Sequence, residues 1–540
     1  MPRQFDRRTF VRRTLGLGAS VLSPWSPLTH PQSLTSLAAS PAQAPAVITA
    51  ESRRPQITHG IAAGDVHSGR AIVWSRSDRA ARMFVDYSTT ESFRDARRVA
   101  GPAALEASDF TVRVVLTDLP AGQKVFYRVT FESLSDLKVM SEPMAGSFIT
   151  PPSASTPPRD VTIAFSADTV GQGWGLNPDF GGLRLYDTMR RAQPDLFINL
   201  GDTIYADQPV EAAVALDDGT TWKNLVTEAK SKPAQTVDDF RGAYQYNLLD
   251  AHMRRFNGEV AQLTMWDDHE VRDNWYHARD LSRDQRYQVK SVALLAARAQ
   301  QAFREYNPLP LFGDDPERIY RTVPLGPTVE VFALDLRSYR GPNSPNRQAT
   351  LDDESTLMGS AQRRWLKAQL AASRATWKII ASDLPIGIVV PDGPANFEAF
   401  ANADGGAPSG RELEIADLLH FIKAQKIRNT VWITADVHYC AAHYYNPARA
   451  RFTDFDPFWE FVAGPLNAGT FGPNPLDATF GPEMKFLGIP DGMKPNRPPS
   501  AGFQFYGLFK IDARTRVLTA SLHDLSGQAI YTVALPPART

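Results

Sequence analysis

Two spacings of apolar residues divide the chain. Between about residues 56 and 150, short runs of alternating apolar and polar residues are separated by turn formers. They are Ala71-Ile72-Val73-Trp74-Ser75, Met83-Phe84-Val85-Asp86-Tyr87, Thr111-Val112-Arg113-Val114-Val115-Leu116 and Lys124-Val125-Phe126-Tyr127-Arg128-Val129. A period of two turns successive side chains to opposite faces, so these runs predict strands, and their even spacing predicts a small β-sandwich. Residues 150–159, rich in Pro, Ser and Thr, predict a linker. From Val161 the texture changes to wholly apolar runs alternating with amphipathic stretches. Strands are predicted near 161–167, 195–200, 261–266, 329–334, 377–382 and 430–435, and helices near 181–192, 239–256, 285–305, 361–373 and 412–426. Strand alternating with helix predicts an α/β layered domain, spanning about 160–530. The stretches 206–238 and 386–411 lack a clear period and are expected to be loop insertions bordering a site.

Composition narrows the picture. With 43% hydrophobic and 22% charged residues in 540, the chain reads as an ordinary globular protein with a large core. The formal charge is -1, yet the first 44 residues carry five arginines (Arg3, Arg7, Arg8, Arg12, Arg13) against Asp6 alone. Removing that +4 leaves about -5, a mildly acidic remainder with no basic field for nucleic acid. The single cysteine, Cys440, forms no intramolecular disulfide and is expected to be a buried small apolar residue.

The residues Asp6-Arg7-Arg8-Thr9-Phe10-Val11-Arg12, followed by the apolar stretch Leu15 to Leu22, resemble a twin-arginine export signal. That stretch is shorter than the roughly 20 residues a membrane span needs, so no stable membrane anchor is expected. Ala42-Gln43-Ala44 fits a small-x-small cleavage pattern, placing a signal peptide over 1–44. The expectation is a protein handed to the twin-arginine translocation machinery and delivered to the periplasm or beyond.

Candidate chemistry lies where the strands stop. Val161 to Phe165 runs into Asp168, Leu196 to Leu200 into Gly201-Asp202, Leu263 to Trp266 into Asp267-Asp268-His269-Glu270, and Val431 to Thr434 into Asp436-Val437-His438. Neighbouring strand ends of an α/β sheet open onto one crevice. Taken singly, Asp202 reads as a turn residue, and Asp168 and Asp268 read as helix caps. Brought together, so many buried carboxylates would repel one another and lose solvation, and a cation removes both problems. Carboxylate, phenolate and imidazole groups without paired thiolates suit iron, manganese, zinc or calcium, with room for two ions sharing a carboxylate.

This order of motifs resembles the calcineurin-like metallophosphoesterases. More narrowly, Gly201-Asp202-Thr203-Ile204-Tyr205-Ala206-Asp207, Trp266-Asp267-Asp268-His269-Glu270-Val271, Leu334-Asp335-Leu336-Arg337-Ser338-Tyr339-Arg340 and Ala435-Asp436-Val437-His438 resemble signatures of the PhoD-like family over about residues 56–470. The segment Leu116 to Gly122 with Phe126 to Val129 resembles part of a fibronectin type III-like sandwich. The resemblance therefore implies a metallophosphoesterase-type α/β layered domain preceded by a small fibronectin type III-like β-sandwich. It implies that Asp202 bridges two ions, that Asp168, Tyr205 and His438 complete the first site, and that Asp268 and Asp436 serve the second. The family's first ion is typically Fe(3+), and its second site holds Ca(2+) or another divalent ion. Asp168 departs from members that carry cysteine there, and the resulting set resembles the ferric site of purple acid phosphatases.

His269 resembles the histidine that contacts phosphate or protonates the leaving oxygen, and Arg272 and Asn274 are candidate phosphate contacts. Asp267 and Glu270 are expected to orient ligands or cap, Asp335 and Arg337 to form a supporting ion pair, and His443 to be a core residue. The expected reaction is hydrolysis of small phosphate monoesters by a metal-bridged hydroxide, releasing inorganic phosphate. Phosphodiesterase or phospholipase D-like activity is the near alternative. A cell-surface binding protein with a degenerate phosphatase domain is the alternative of another class, and its signature would be missing ligands.

Overall fold

Strands Val161–Ser166, Leu196–Asn199 and Ala261–Thr264 lie at the centre of the protein, where helices cover one face and a second sheet covers the other. That double burial is why their sequences are apolar without alternation. The computed structural model describes residues 50–67 and 69–538. The expected signal peptide over 1–44 lies outside the described residues. Among the described residues no helix is long and apolar enough to cross a membrane.

The first sheet has nine strands in the order Ala529–Leu535, Leu518–His523, Tyr506–Ile511, Val161–Ser166, Leu196–Asn199, Ala261–Thr264, Ile57–His67, Arg70–Ser77, Thr111–Leu116. The second has seven, in the order Arg321–Pro324, Val329–Ala333, Trp377–Ala381, Thr430–Thr434, Phe458–Val462, Ala441–Tyr445, Pro482–Leu487. Their inner faces form one core in which Ile163, Phe165 and Ile198 meet Val331, Ile379, Ile433 and Phe461. Phe509 links the layers, with its ring 4.9 Å from Phe165 and 5.4 Å from Phe461. Helices Arg184–Arg191, Val237–Asn247, Ala251–Glu259 and Val292–Tyr306 cover the first sheet, and Gly359–Ala372 and Glu412–Ala424 cover the second. The result is the layered α/β architecture expected, with two sheets between two helical layers.

A four-stranded sheet in the order Arg97–Ala104, Ala81–Ser88, Lys124–Ser133, Met144–Ile149 forms the outer layer of the N-terminal β-sandwich. Its inner layer is the edge of the nine-stranded sheet. Ile57–His67 pairs in parallel with Ala261–Thr264, with Gly64 opposite Gln262. Glycine is needed at that seam, because a Cβ on Gly64 would lie 2.5 Å from Pro308 and 2.7 Å from the Gln262 carbonyl.

Three local expectations change. The helix predicted over 239–256 is two, Val237–Asn247 and Ala251–Glu259. The break comes at Asp250, whose carboxylate caps the second helix through Met253 N–H and also accepts from Leu183 N–H. The helix predicted from 285 starts at Val292, where the Ser291 hydroxyl accepts from Leu294 N–H. The stretch 206–238 contains a hairpin of Ala213–Ala215 and Thr221–Lys223.

Candidate metal centre

Six strand-end side chains converge at one rim of the two sheets. Asp168 and Asp202 follow adjacent parallel strands, Val161–Ser166 and Leu196–Asn199, and Asp436 and His438 follow Thr430–Thr434 of the facing sheet. Asp168, Asp202, Asp436 and His438 all have positive φ, of 62°, 50°, 68° and 61°. Aspartate and histidine tolerate this region better than most residues, but the conformation must still be held by its surroundings. At Asp168 the main-chain carbonyl accepts N–H groups from Leu466, Asn467 and Ala468, each at 3.1 Å. At Asp202 the Glu270 carboxylate accepts from Asp202 N–H at 3.0 Å and Thr203 N–H at 2.7 Å, while also taking Asp267 N–H at 2.7 Å. Glu270 thus orients the turns carrying Asp202 and Asp268 and acts as a backbone clamp.

Three groups of acids and histidine bring their ligand atoms within 4.8 Å of one another: Asp168 with Asp202 and His438, Asp202 with Asp268 and His269, and Asp267 with Asp268 and Asp436. Asp202 belongs to the first two and Asp268 to the last two, so the groups form a continuous track. Tyr205 joins the first, its hydroxyl 2.9 Å from His438 Nε2. His438 Nδ1 donates to the Gly469 carbonyl at 2.6 Å, which leaves Nε2 with its lone pair toward Tyr205 and Asp168. Burial holds this imidazole neutral by pushing its pKa down to about 4.

Electrostatics shows what the first group lacks. Both carboxylate oxygens of Asp168 are buried without a hydrogen-bond partner. Burial, reinforced by neighbouring carboxylates, pushes Asp168 and Asp202 well above the usual carboxylate range. Burial and the charges of Asp202 and Asp168 likewise push the Tyr205 phenol well up. A cation placed among these groups reverses each of those shifts. The donor set fits a metal ion: two carboxylates, a phenol and a neutral imidazole, with an orphaned carboxylate among them.

The second group carries its own counter-charge. Arg337, fully buried, contacts Asp267 at 2.5 Å and Glu398, and lies 3.5 Å from Asp436, 3.5 Å from Asp383 and 4.0 Å from Asp268. Burial raises the Asp268 carboxyl, but His269, Arg337 and the Asn274 N–H outweigh it and bring it down to about 2. The expected Asp335–Arg337 ion pair is not formed. Asp335 instead accepts from the Trp266 indole at 3.0 Å, from Arg337 main-chain N–H at 3.1 Å and from the Ser338 hydroxyl at 2.6 Å. Asp335 shapes the turn, and the guanidinium it presents goes to acids elsewhere.

His269 stacks on Tyr205, with ring centroids 4.1 Å apart and planes at 25°. Its Nδ1 donates to Asp207 at 2.7 Å, so Nε2 is the free atom. Asp207, Asp268 and Asp202 outweigh burial and raise its pKa well above 6.5. Arg272 is 5% exposed, and its Nε and Nη1 have no partner. Asn274 donates its main-chain N–H to Asp268 at 2.6 Å and its amide to Asp392 at 3.2 Å. Residue-by-residue reading missed Asp207 and the reach of Arg337. Asp207 had a faint signal as the last residue of the Gly201 to Asp207 motif. His443 and Cys440 are buried in the core, His443 paired with Glu460 at 3.1 Å.

The model of the family described as "PhoD-like phosphatase" matches residues 164–522, and that of its N-terminal domain matches 41–152. The chain belongs to the PhoD-like phosphatase family. It is 25% identical to alkaline phosphatase D of Bacillus subtilis (strain 168) over 401 residues, which are 71% of this chain and 64% of that relative's length. Among solved structures it resembles one described as PhoD, with a TM-score of 0.65, 20% identity and 90% of each chain covered. It also resembles a purple acid phosphatase of yellow lupin (Lupinus luteus) seeds, with a TM-score of 0.54, 11% identity, and 89% of this chain and 74% of that one covered. These likenesses show that the layered fold is shared across PhoD-like and purple acid phosphatases. In this PhoD-like chain each strand-end position of the motifs carries a side chain able to bind metal.

Proposed function

We propose that the protein is an exported metal-dependent phosphoesterase that hydrolyses small phosphate monoesters and releases inorganic phosphate. The observation that carries this reading is Asp168, a carboxylate buried with both oxygens unpartnered beside Asp202, Tyr205 and His438. An ionised carboxylate in such a place needs a cation, and the track through Asp202 to Asp268 and Asp436 offers a second place for one. Phenolate chemistry at Tyr205 favours Fe(3+) in the first position, and hard oxygen donors favour Ca(2+) or another divalent ion in the second. Bound there, the ions would supply Lewis-acid polarisation of the phosphoryl group and acidification of water.

The chain's own residues do the rest. His269, anchored by Asp207, holds a proton on Nε2 for the departing alcohol oxygen. Arg272, with two buried N–H groups to spare, binds phosphoryl oxygens, and Asn274 keeps Asp268 in place through its main chain.

The test is metal analysis and an absorption spectrum of the exported protein, followed by assays on matched mono- and diester substrates. A visible band that Tyr205→Phe abolishes supports Fe(3+), and a colourless, fully active enzyme overturns it. Full hydrolysis by Asp202→Asn overturns the metal mechanism. Export is tested by replacing Arg7 and Arg8 with lysine, which is expected to retain the protein in the cytoplasm.

A further inference from the structure

We propose that Lys230 is a positioning residue of this esterase, a clamp that fixes Tyr205 and the Asp207–His269 pair in one arrangement. The inference rests on the phosphoesterase reading above. Lys230 ends the short turn Glu228–Lys230 inside the 206–238 insertion, where its own carbonyl accepts from Val210 N–H at 2.8 Å. Lysine normally keeps its amine in water, yet this residue is only 3% exposed. Burial on that scale is costly unless hydrogen bonds meet it.

Those bonds go to the main chain of the site. The Lys230 amine donates to the Tyr205 carbonyl at 2.6 Å and to the Gln208 carbonyl at 2.8 Å, gripping both ends of the turn Tyr205-Ala206-Asp207-Gln208. The first end carries the phenol that lies 2.9 Å from His438 Nε2. Inside the turn is Asp207, whose carboxylate accepts from His269 Nδ1 at 2.7 Å and from Asp273 N–H at 3.1 Å. His269 in turn stacks on the Tyr205 ring, so one amine holds the main chain beneath all three side chains.

Other bonds tether the turn to its neighbours without fixing its span. Ala206 donates to the His269 carbonyl at 2.9 Å and accepts from Ala234 N–H at 2.8 Å, and the Gln208 side chain accepts from Gln172 N–H at 2.6 Å. Across the turn itself, Gln208 N–H reaches the Tyr205 carbonyl at a long 3.4 Å. The lysine amine therefore sets the separation of the two ends. Lys230 touches no reacting atom. It acts through Tyr205, which faces the first metal position, and through Asp207, which aims His269 Nε2 at the departing oxygen.

The experiment uses Lys230→Met in the full chain, which keeps the apolar stem and removes the amine. In the metal-loaded enzyme kcat is expected to fall about tenfold more for alkyl phosphates than for nitrophenyl phosphate, because a misdirected His269 matters most where the departing alcohol needs its proton. In the metal-stripped protein the low-field NMR signal of the His269 Nδ1 proton, identified by its loss in His269→Gln, is expected to shift or broaden. A residue that served only to stabilise the fold would lower the melting temperature and move neither reading. An equal fall in kcat for both esters together with an unmoved proton signal overturns the clamp. If Lys230→Met does not fold, Lys230→Gln, one atom shorter and still a donor, is read in the same two ways. If no phosphate ester is hydrolysed but the proton signal moves, the esterase reading fails and the clamp stands.

Discussion

The two halves of the acidic track meet the same electrostatic problem with different cations, an imidazolium in one and a guanidinium in the other. Around Asp168, Asp202, Tyr205 and His438 no guanidinium reaches the acids; the nearby cation is His269, stacked on Tyr205, and Asp168 stays orphaned with its pKa and that of Asp202 raised. Around Asp267, Asp268, Asp383, Glu398 and Asp436 it supplies Arg337, with Arg340 behind, yet burial still raises Asp383 and Asp436 well above the usual carboxylate range and Asp267 to about 6, and Asp383 accepts no hydrogen bond. Desolvating a charge without a partner costs several kcal/mol, so acids in both halves call for positive charge, and only the second draws part of it from an arginine. The second half is thus partly neutralised by Arg337 within the chain itself. The difference also matches the proposed trivalent ion in one and divalent ion in the other.

Substitutions distinguish the two halves. The largest effect is expected from Asp202→Asn, which touches both halves: kcat should fall by roughly 10³-fold, checked by steady-state kinetics alongside metal content. Next is Arg337→Met, which leaves buried acids unpaired and should cost about 3–5 kcal/mol in urea unfolding, with or without metal. A smaller effect is expected of Asp207→Asn. Loss of the partner that orients His269 should lower kcat about 10–100-fold, most for esters with poor leaving groups. Asp168→Asn should sharpen the contrast by opposite sign, stabilising the metal-stripped protein by about 1–2 kcal/mol while destroying the first site. If Asp168→Asn and Arg337→Met destabilise the stripped protein alike, the contrast between the halves is wrong.

The smallest effect is the pH dependence of the stripped protein. Asp168, Asp202 and Asp436 have folded pKa values raised above 3.8 by burial. Their stabilising contribution is complete below 3.8 and is lost as pH rises through the raised values. Thermal melts in chelator should therefore show stability from these groups falling as pH rises above about 4, and metal should abolish the trend.

Much of the site was legible because its chemistry is local. Each apolar run in the catalytic region ends within a few residues of an acid or histidine, and a strand's end is a feature of the strand's own sequence. Tyr205 lies in the same short motif as Asp202. Arg337 was less legible, because its acid partners Asp267, Glu398 and Asp436 stand 70, 61 and 99 residues away. Nearby Asp335 looked like the obvious partner, yet its oxygens were taken by Trp266, Ser338 and the Arg337 main chain. The Asp207–His269 pair spans 62 residues and was hidden for the same reason. In the fold, the six predicted strands are present, but Ala441–Tyr445, Phe458–Val462 and the three C-terminal strands were not foreseen. Those strands have no helices between them and mix polar with apolar residues, so the alternation that marked the earlier ones was missing.

The layered α/β class, the family, and the acids, phenol and imidazoles that collect where strands end follow from apolar periodicity and motif spacing, which are properties of short segments. Tertiary structure alone decided that the sandwich shares a sheet with the catalytic layers at Gly64, that Arg337 answers Asp267 and Glu398, and that Asp168 is left without a donor. The reason is physical: whether a buried charge is paired depends on what distant segments bring within a few ångströms of it, and only the packed chain settles that.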